Sequence, residues 1–416
     1  MRNPILRFAQ ATLLLAAFGG CATAPPVPTA PRRPLLLISV DGLRPTDVTP
    51  SQMPNLSRLA QQGVRAAWMK PSYPSLTFPN HYTIVTGLTP DHHGIVHNNM
   101  SDPVLGRFKL SDNKAVGDGR WWGGMPVWVS VERAGLHAST MYWPGSQAAI
   151  QGVRPSHWET FDDKRSAQDR ARSVARWMLE PAGQRPDFAT LYFDSVDHAE
   201  HDHGPDSPEA RDQRSVTDAA IGTLVSTLAA KGALDRVDIV VVSDHGFASV
   251  PKGHATAVDA LAPASVATAV SNGQVVTFDP LPGHADEANR MLLGRHDHAT
   301  CWRKQDLPRR WHYGSNPRIP PIVCQMDEGW DAVSTNELKK PERKQDRGSH
   351  GFDPDLPSMR ATFIARGPSF KAGTTLPGFE NVDVYPLLMR LLQLPPQHND
   401  GHARTFDAVL TPGVAR

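Results

Sequence analysis

Asp41, Thr77, Asp197 with His201, Asp244 with His245, and His350 offer oxygen and imidazole donors beside turn-forming residues at separated points of the chain. Carboxylate and imidazole without sulfur suit zinc, with manganese as the alternative. Each residue also has a bland reading, because an Asp after a strand often caps the next helix and a His before Gly often sits in a turn. Together they suffice for two sites, and paired metals about 4 Å apart clamp the attacking and leaving oxygens of phosphoryl transfer. Thr77 precedes Phe78-Pro79, and Pro79 fits the first turn of a helix running through Tyr82 to Val85. A hydroxyl at that positive helix end is a poor nucleophile until a base or metal removes its proton. Without one, Thr77 is merely an N-cap.

The elements that must position these residues follow from hydrophobic patterning. Leu35 to Val40 is a mostly apolar run ending at Asp41-Gly42, as expected of a parallel strand buried on both faces. Phe188 to Phe193 leads toward Asp197, and Val237 to Val242 runs into Ser243-Asp244-His245-Gly246. The candidate ligands therefore fall at strand ends, where open α/β sheets bind their ligands. Helical patterns intervene at Asn55 to Gly63, Ser166 to Leu179 and Ser215 to Ala230. This alternation predicts an α/β fold with a doubly wound, mostly parallel central sheet. Residues 252–347 break it with proline clusters and the strand-like run Gln274 to Phe278, and read as an inserted cap. Ala361 to Ala365 is expected as a further strand, and Val382 to Leu394 as a closing helix stopped by Pro395-Pro396. A single catalytic domain over 35–416, with an insertion around 252–347, is the expected organisation.

The 416 residues carry 43 basic and 42 acidic side chains, a formal charge of +1, which argues against a nucleic-acid polymer held by phosphate contacts. With 40% hydrophobic and 20% charged residues, bulk disorder is excluded. The three cysteines include no CxxC pair, which excludes thiolate zinc fingers and iron–sulfur clusters. Arg2 and Arg7 precede the apolar run Ala11 to Phe18 and small residues through Ala24, the order of a secretory signal. Two cleavage sites compete: Phe18-Gly19-Gly20-Cys21 would give a lipid anchor at Cys21, and Ala22-Thr23-Ala24 a free N-terminus. The prolines from Pro25 to Pro34 then form a stiff spacer, so residues 1–34 read as signal peptide and spacer. The expected location is the periplasm, with outer-membrane anchoring if Cys21 is lipidated. In that oxidising compartment Cys301 and Cys324 can form a disulfide, with unpaired buried thiols as the alternative.

Phe78-Pro79-Asn80-His81-Tyr82-Thr83-Ile84-Val85-Thr86-Gly87, followed by Pro90, His93-Gly94-Ile95 and Asn98, resembles the nucleotide pyrophosphatase/phosphodiesterase family of the alkaline phosphatase superfamily, as a bacterial member. Val40 to Arg44, Tyr142 to Ser146, Tyr192 to Pro205, Ser243 to Gly246 and Ser349 to Gly351 agree with it. The resemblance implies one Zn2+ on Asp41, Thr77, Asp244 and His245, and a second on Asp197, His201 and His350. Thr77 would be the nucleophile, forming a covalent threonyl intermediate that water later cleaves. Asn98 would donate its amide to a non-bridging phosphate oxygen. Glu200 departs from the family's glycine, and Asp194 with His198 is a rival D-x3-H. Register against Gly204-Pro205 selects Asp197 and His201. His296, Asp297 and His298 lie in the unmatched insertion and read as solvated loop.

No arginine occurs between Ala66 and Arg107 to neutralise a dianionic monoester, so the surroundings of Thr77 favour diesters. The resemblance places a base-stacking slot at Phe78, Leu110, Phe161 and Tyr192; apart from it, Trp121 and Trp122 are expected near the mouth. Stacking is worth about 1–3 kcal/mol with little base discrimination. The expected activity is zinc-dependent hydrolysis of phosphodiester and pyrophosphate bonds in nucleotides, releasing nucleoside 5′-monophosphates. A lipid-headgroup phosphodiesterase of phosphocholine type, marked by an aromatic cage with acidic residues, is the alternative on the same core. A metal-stabilised binding protein without turnover is a third.

Overall fold

The computed structural model describes residues 32–341 and 345–414, so the signal sequence, Cys21 and the start of the proline spacer lie outside the described residues. Eight strands form the central sheet: Leu35–Val40 (β1), Val64–Ala66 (β2), Ala138–Met141 (β3), His157–Trp158 (β4), Phe188–Phe193 (β5), Asp238–Val242 (β6), Phe363–Arg366 (β7) and Thr374–Leu376 (β8). Their order is β8-β2-β7-β6-β1-β5-β3-β4. Only β7 runs against the others, pairing antiparallel with β6 and β2. The sheet is thus mostly parallel, with β1 at its centre between β5 and β6.

Apolar residues on both sides of β1 explain the double winding. Leu35 and Leu37 join one core with Ile84, Val85, Tyr385 and Leu388, while Leu36, Ile38 and Val40 join another with Leu56, Val174, Ile221 and Leu224. The first face is covered by Thr77–Thr86 and the second by Pro54–Gln61, Ala167–Met178 and Pro208–Ala230. With no face left to water, β1 needs no alternation of polar and apolar residues.

Two helices differ from their predicted bounds for local reasons. The helix expected from Ser215 begins at Pro208, where the Ser207 hydroxyl accepts from Ala210 N–H and Pro208 takes the first helical position. Its polar first turns hid it from a search for apolar spacing. The closing helix spans Val384–Leu391, and the chain leaves it through Gln393 at φ 54°, before the prolines.

Strands Ala267–Ser271, Val275–Pro280, Gly294–His296, Ala299–Arg303 and Ile322–Met326 form a separate antiparallel sheet with its own apolar core. Cys301 and Cys324 face each other across two of these strands and are disulfide-bonded, with Cα atoms 3.9 Å apart. His296 ends one strand of this sheet, and His298 stacks on Trp330 at 3.4 Å instead of lying in a solvated loop. No described helix is long and apolar enough to cross a membrane.

Candidate active site

Asp41 follows β1, Asp197 follows β5, and Asp244 and His245 follow β6, so the carboxyl ends of three adjacent strands deliver their side chains to one place. Gly42 makes the turn after β1 at φ 73°, and a Cβ there would lie 2.9 Å from the Phe247 ring. Only glycine satisfies both the backbone and the space. Thr77 is the first residue of its helix, with Leu76 at the N-cap position, so its hydroxyl is not spent on capping. His350 enters from Arg347–Ser349, a short strand paired with Ala248–Val250 just beyond His245.

Asp197, His201 and His350 have ligand atoms within 4.8 Å of one another, as do Asp41, Asp197 and His245. His245 Nε2 lies 3.4 Å from the Thr77 hydroxyl, 2.9 Å from Asp244 Oδ2 and 3.5 Å from Asp41 Oδ1. His350 Nε2 is 3.5 Å from Asp197 Oδ1, and the His245 and His350 rings stack at 3.6 Å. The other ring nitrogen of each histidine is anchored: His350 Nδ1 donates to Ser75 O, His201 Nδ1 to Gly348 O and His245 Nδ1 to Gly246 O. A carbonyl only accepts, so each Nδ1 carries the hydrogen and each Nε2 presents a lone pair to the carboxylates.

Asp41 Oδ1, Asp197 Oδ1 and Asp244 Oδ2 are buried without a hydrogen-bond partner. Such orphaned oxygens call for a cation. Burial, then the Asp244 and Asp197 charges, push the Asp41 carboxyl well above its ordinary range. Burial, then Asp244, does the same to Asp197. Burial lowers both His201 and His350, which keeps these imidazoles neutral, with lone pairs available to a cation. The residue chemistry fits divalent metal.

The rival pair, Asp194 and His198, lie 3.5 Å from each other but contribute to none of the clusters among the described residues that could hold a metal ion. Asp194 is tied to buried Arg170, and His198 points outward with 62% of its side chain exposed. Glu200 faces away from the cluster into a buried pair with Arg214 at 2.6 Å.

A cavity of about 680 Å³ opens over the cluster, lined by Thr77, Phe78, Asn98, Leu110, Phe161 and Tyr192 among others. Asn98 Oδ1 accepts from Phe78 N–H at 2.9 Å, which turns its amide nitrogen away from that contact and leaves it free to donate. Leu110 and Phe161 are 43% and 39% exposed at the rim. Tyr192 lines the cavity with its ring 6.2 Å from that of Phe161, and its hydroxyl also donates to Asp41 Oδ2 at 2.6 Å, so it orients a carboxylate as well. Trp121 and Trp122 are core residues, 2% and 3% exposed, rather than mouth residues. His81, buried against the cluster, was missed as a separate functional residue. Its place four residues after Thr77, on the same helix face, is the signal that could have found it.

A family model described as type I phosphodiesterase / nucleotide pyrophosphatase matches residues 35–353, running through the insertion. The chain belongs to that family. It is 35% identical over 391 residues to an uncharacterized pyrophosphatase/phosphodiesterase of Schizosaccharomyces pombe, covering 90% of this chain and 79% of the yeast protein. A venom phosphodiesterase of Naja atra is 33% identical over 88% of this chain, and ectonucleotide pyrophosphatase/phosphodiesterase family member 3 of Bos taurus is 33% identical over the same share. The chain spans less than half the length of these two, 45% and 43%. Murine ectonucleotide pyrophosphatase/phosphodiesterase 5, solved as an inactive threonine-to-alanine variant in complex with AMP, superposes with a TM-score of 0.85 at 30% identity. That match covers 91% of this chain and all of the murine one, and it makes the fold alkaline-phosphatase-like.

Proposed function

We propose that this chain hydrolyses phosphodiester and pyrophosphate bonds of nucleotides at a two-zinc centre and releases nucleoside 5′-monophosphates. One observation carries the reading: three histidines with Nδ1 held by backbone carbonyls turn Nε2 toward orphaned carboxylate oxygens beside the Thr77 hydroxyl. Asp41, Thr77, Asp244 and His245 would hold one ion, and Asp197, His201 and His350 the other. The metals, when bound, supply positive charge that eases ionisation of the Thr77 hydroxyl and offsets charge on the phosphoryl oxygens.

Thr77 Oγ1 attacks phosphorus in line, releasing its proton to water, and the bond to the leaving-group oxygen breaks as the Oγ1–P bond forms. Water then attacks the same phosphorus, the Oγ1–P bond breaks, and Thr77 regains a proton. Two inversions give retention at phosphorus. The free Asn98 amide donates to a non-bridging oxygen as charge develops there. Phe78, Leu110 and Phe161 receive the base of the retained nucleoside, a reading supported by the AMP bound to the murine relative.

The headgroup alternative lacks its cage. Arg170 already lies over the Tyr142 and Phe161 rings at 4.9 Å and 5.6 Å, and Glu159 is paired with Arg165. The leader supports export, and the names of the venom and ectonucleotide relatives are consistent with it. Periplasmic location, a lipid anchor at Cys21 and a bacterial source rest on the leader alone. We read residues 35–416 as one catalytic domain, with an insertion around 252–347 that contains the antiparallel sheet of residues 267–326. Rapid acid quench during turnover, followed by peptide mass analysis, tests the mechanism: a nucleoside monophosphoryl group is expected on Thr77, and its appearance on another residue contradicts the assignment.

A further inference from the structure

His81 is fully buried beside the cluster, and the mechanism above gives it no task. Its Nδ1 lies 2.9 Å from the carbonyl of Thr77 and 3.3 Å from Asp244 Oδ2. Since a carbonyl only accepts, Nδ1 carries a hydrogen. That N–H goes to Thr77 O, while Asp244 Oδ2 remains without a hydrogen bond and open to a cation. Nε2 is held by the Ser39 hydroxyl at 2.8 Å, from the strand that ends at Asp41. Trp143 and Tyr192 approach the ring at 5.1 Å and 5.0 Å, nearly perpendicular to it. Trp143 is further fixed by donating its indole N–H to His81 O. Both nitrogens and both flanks of this imidazole are therefore occupied, and its one directed N–H meets the backbone of the candidate nucleophile.

We infer that His81 is a positioning residue: it ties the Thr77 backbone to β1 and sets its N–H beside Asp244, fixing the nucleophile relative to a metal-binding carboxylate without binding metal itself. This inference rests on the two-zinc reading, and it decides against the other possibility that Asp41, His81 and Asp244, whose ligand atoms also lie within 4.8 Å, share an ion. Outer partners of metal sites typically change affinity or activity by about 10–100-fold when removed.

The test compares His81→Leu, which fills the space without a donor, with His81→Asn, whose amide N–H falls near the Nδ1 position. Zinc affinity and stoichiometry are read by competition with a chromophoric chelator, and kcat and KM on an aryl ester of thymidine 5′-monophosphate. His81→Leu is expected to lower kcat and weaken zinc by about tenfold each, with KM within about twofold and both ions still bound. His81→Asn is expected to recover most of that loss. Wild-type behaviour of the Leu variant, equal losses in both variants, or loss of one zinc equivalent would each overturn the inference. Should His81→Leu not fold, Ser39→Ala removes the Nε2 anchor alone; a several-fold fall in kcat is expected, and an unchanged kcat overturns the inference. If the wild-type protein binds zinc but leaves the thymidine ester intact, the proposed function fails, while the zinc affinities of the variants still judge His81.

Discussion

Thr77 is the side chain whose removal is expected to separate chemistry from folding, whereas Asn98 also accepts from Phe78 N–H. Thr77→Ala deletes a half-buried hydroxyl that caps nothing, so turnover of nucleotide diesters is expected to vanish while the melting temperature stays within a few degrees. Residual turnover near the wild-type rate would remove Thr77 from the mechanism. Asn98→Ala should lower kcat by about 10²–10³-fold if its amide meets transition-state charge, and a change confined to KM would contradict that role. Asp41, Asp244 and His245 were legible as a group because each follows an apolar run and the ends of adjacent parallel strands converge. Tyr192 was not. Its contact with Asp41 depends on the register of β1 and β5, where Ser39 lies opposite Tyr192, and register is invisible in a single chain.

At the scale of elements, Ser195–His203 carries both Asp197 and His201 and depends on a buried pair of which only Glu200 stood out in the sequence. Glu200 and Arg214 are 0% and 1% exposed and join this helix to Pro208–Ala230. Burial pushes the Glu200 carboxyl up to about 8 despite Arg214. Arg214→Met is expected to destabilise the protein by about 1–3 kcal/mol in urea unfolding, because it leaves the buried Glu200 carboxyl without its hydrogen-bond donor. A change below about 0.5 kcal/mol would mean that water reaches the site. Helix existence could be read from spacing, but the start of Pro208–Ala230 could not, because cap chemistry at Ser207-Pro208 set it ahead of any apolar residue.

For the whole molecule, buried neutral histidines set the acid limit. His93 and His97 are 1% and 4% exposed. Burial lowers them from 6.5 to about 3 and about 4. Below pH 6.5 the unfolded chain takes up protons at these positions that the folded chain refuses, so stability falls with pH until the folded values are reached. Each histidine contributes about 1.4 kcal/mol per pH unit in that window. These two sites therefore steepen the loss of stability from pH 6.5 toward pH 4.5, and His97→Gln should make the fall in urea midpoint over that range shallower; an unchanged pH dependence in the variant would contradict the burial argument. His97 also touches Val275 O, 3.2 Å away in the antiparallel sheet, so this titration couples the signature segment to the insertion. The outline of that insertion was legible as a break in the α/β alternation, whereas its five strands were not, since only Gln274 to Phe278 carried a plain strand signal.

A metal-dependent diesterase with a nucleoside slot must need its metal and prefer a nucleotide diester. Chelator-stripped protein, assayed with and without added zinc on an aryl ester of thymidine 5′-monophosphate, aryl phosphate and aryl phosphorylcholine, tests it most directly. The account predicts activity restored by zinc and strongest on the thymidine diester. Preference for aryl phosphate or phosphorylcholine, or no activity with zinc bound, would contradict it.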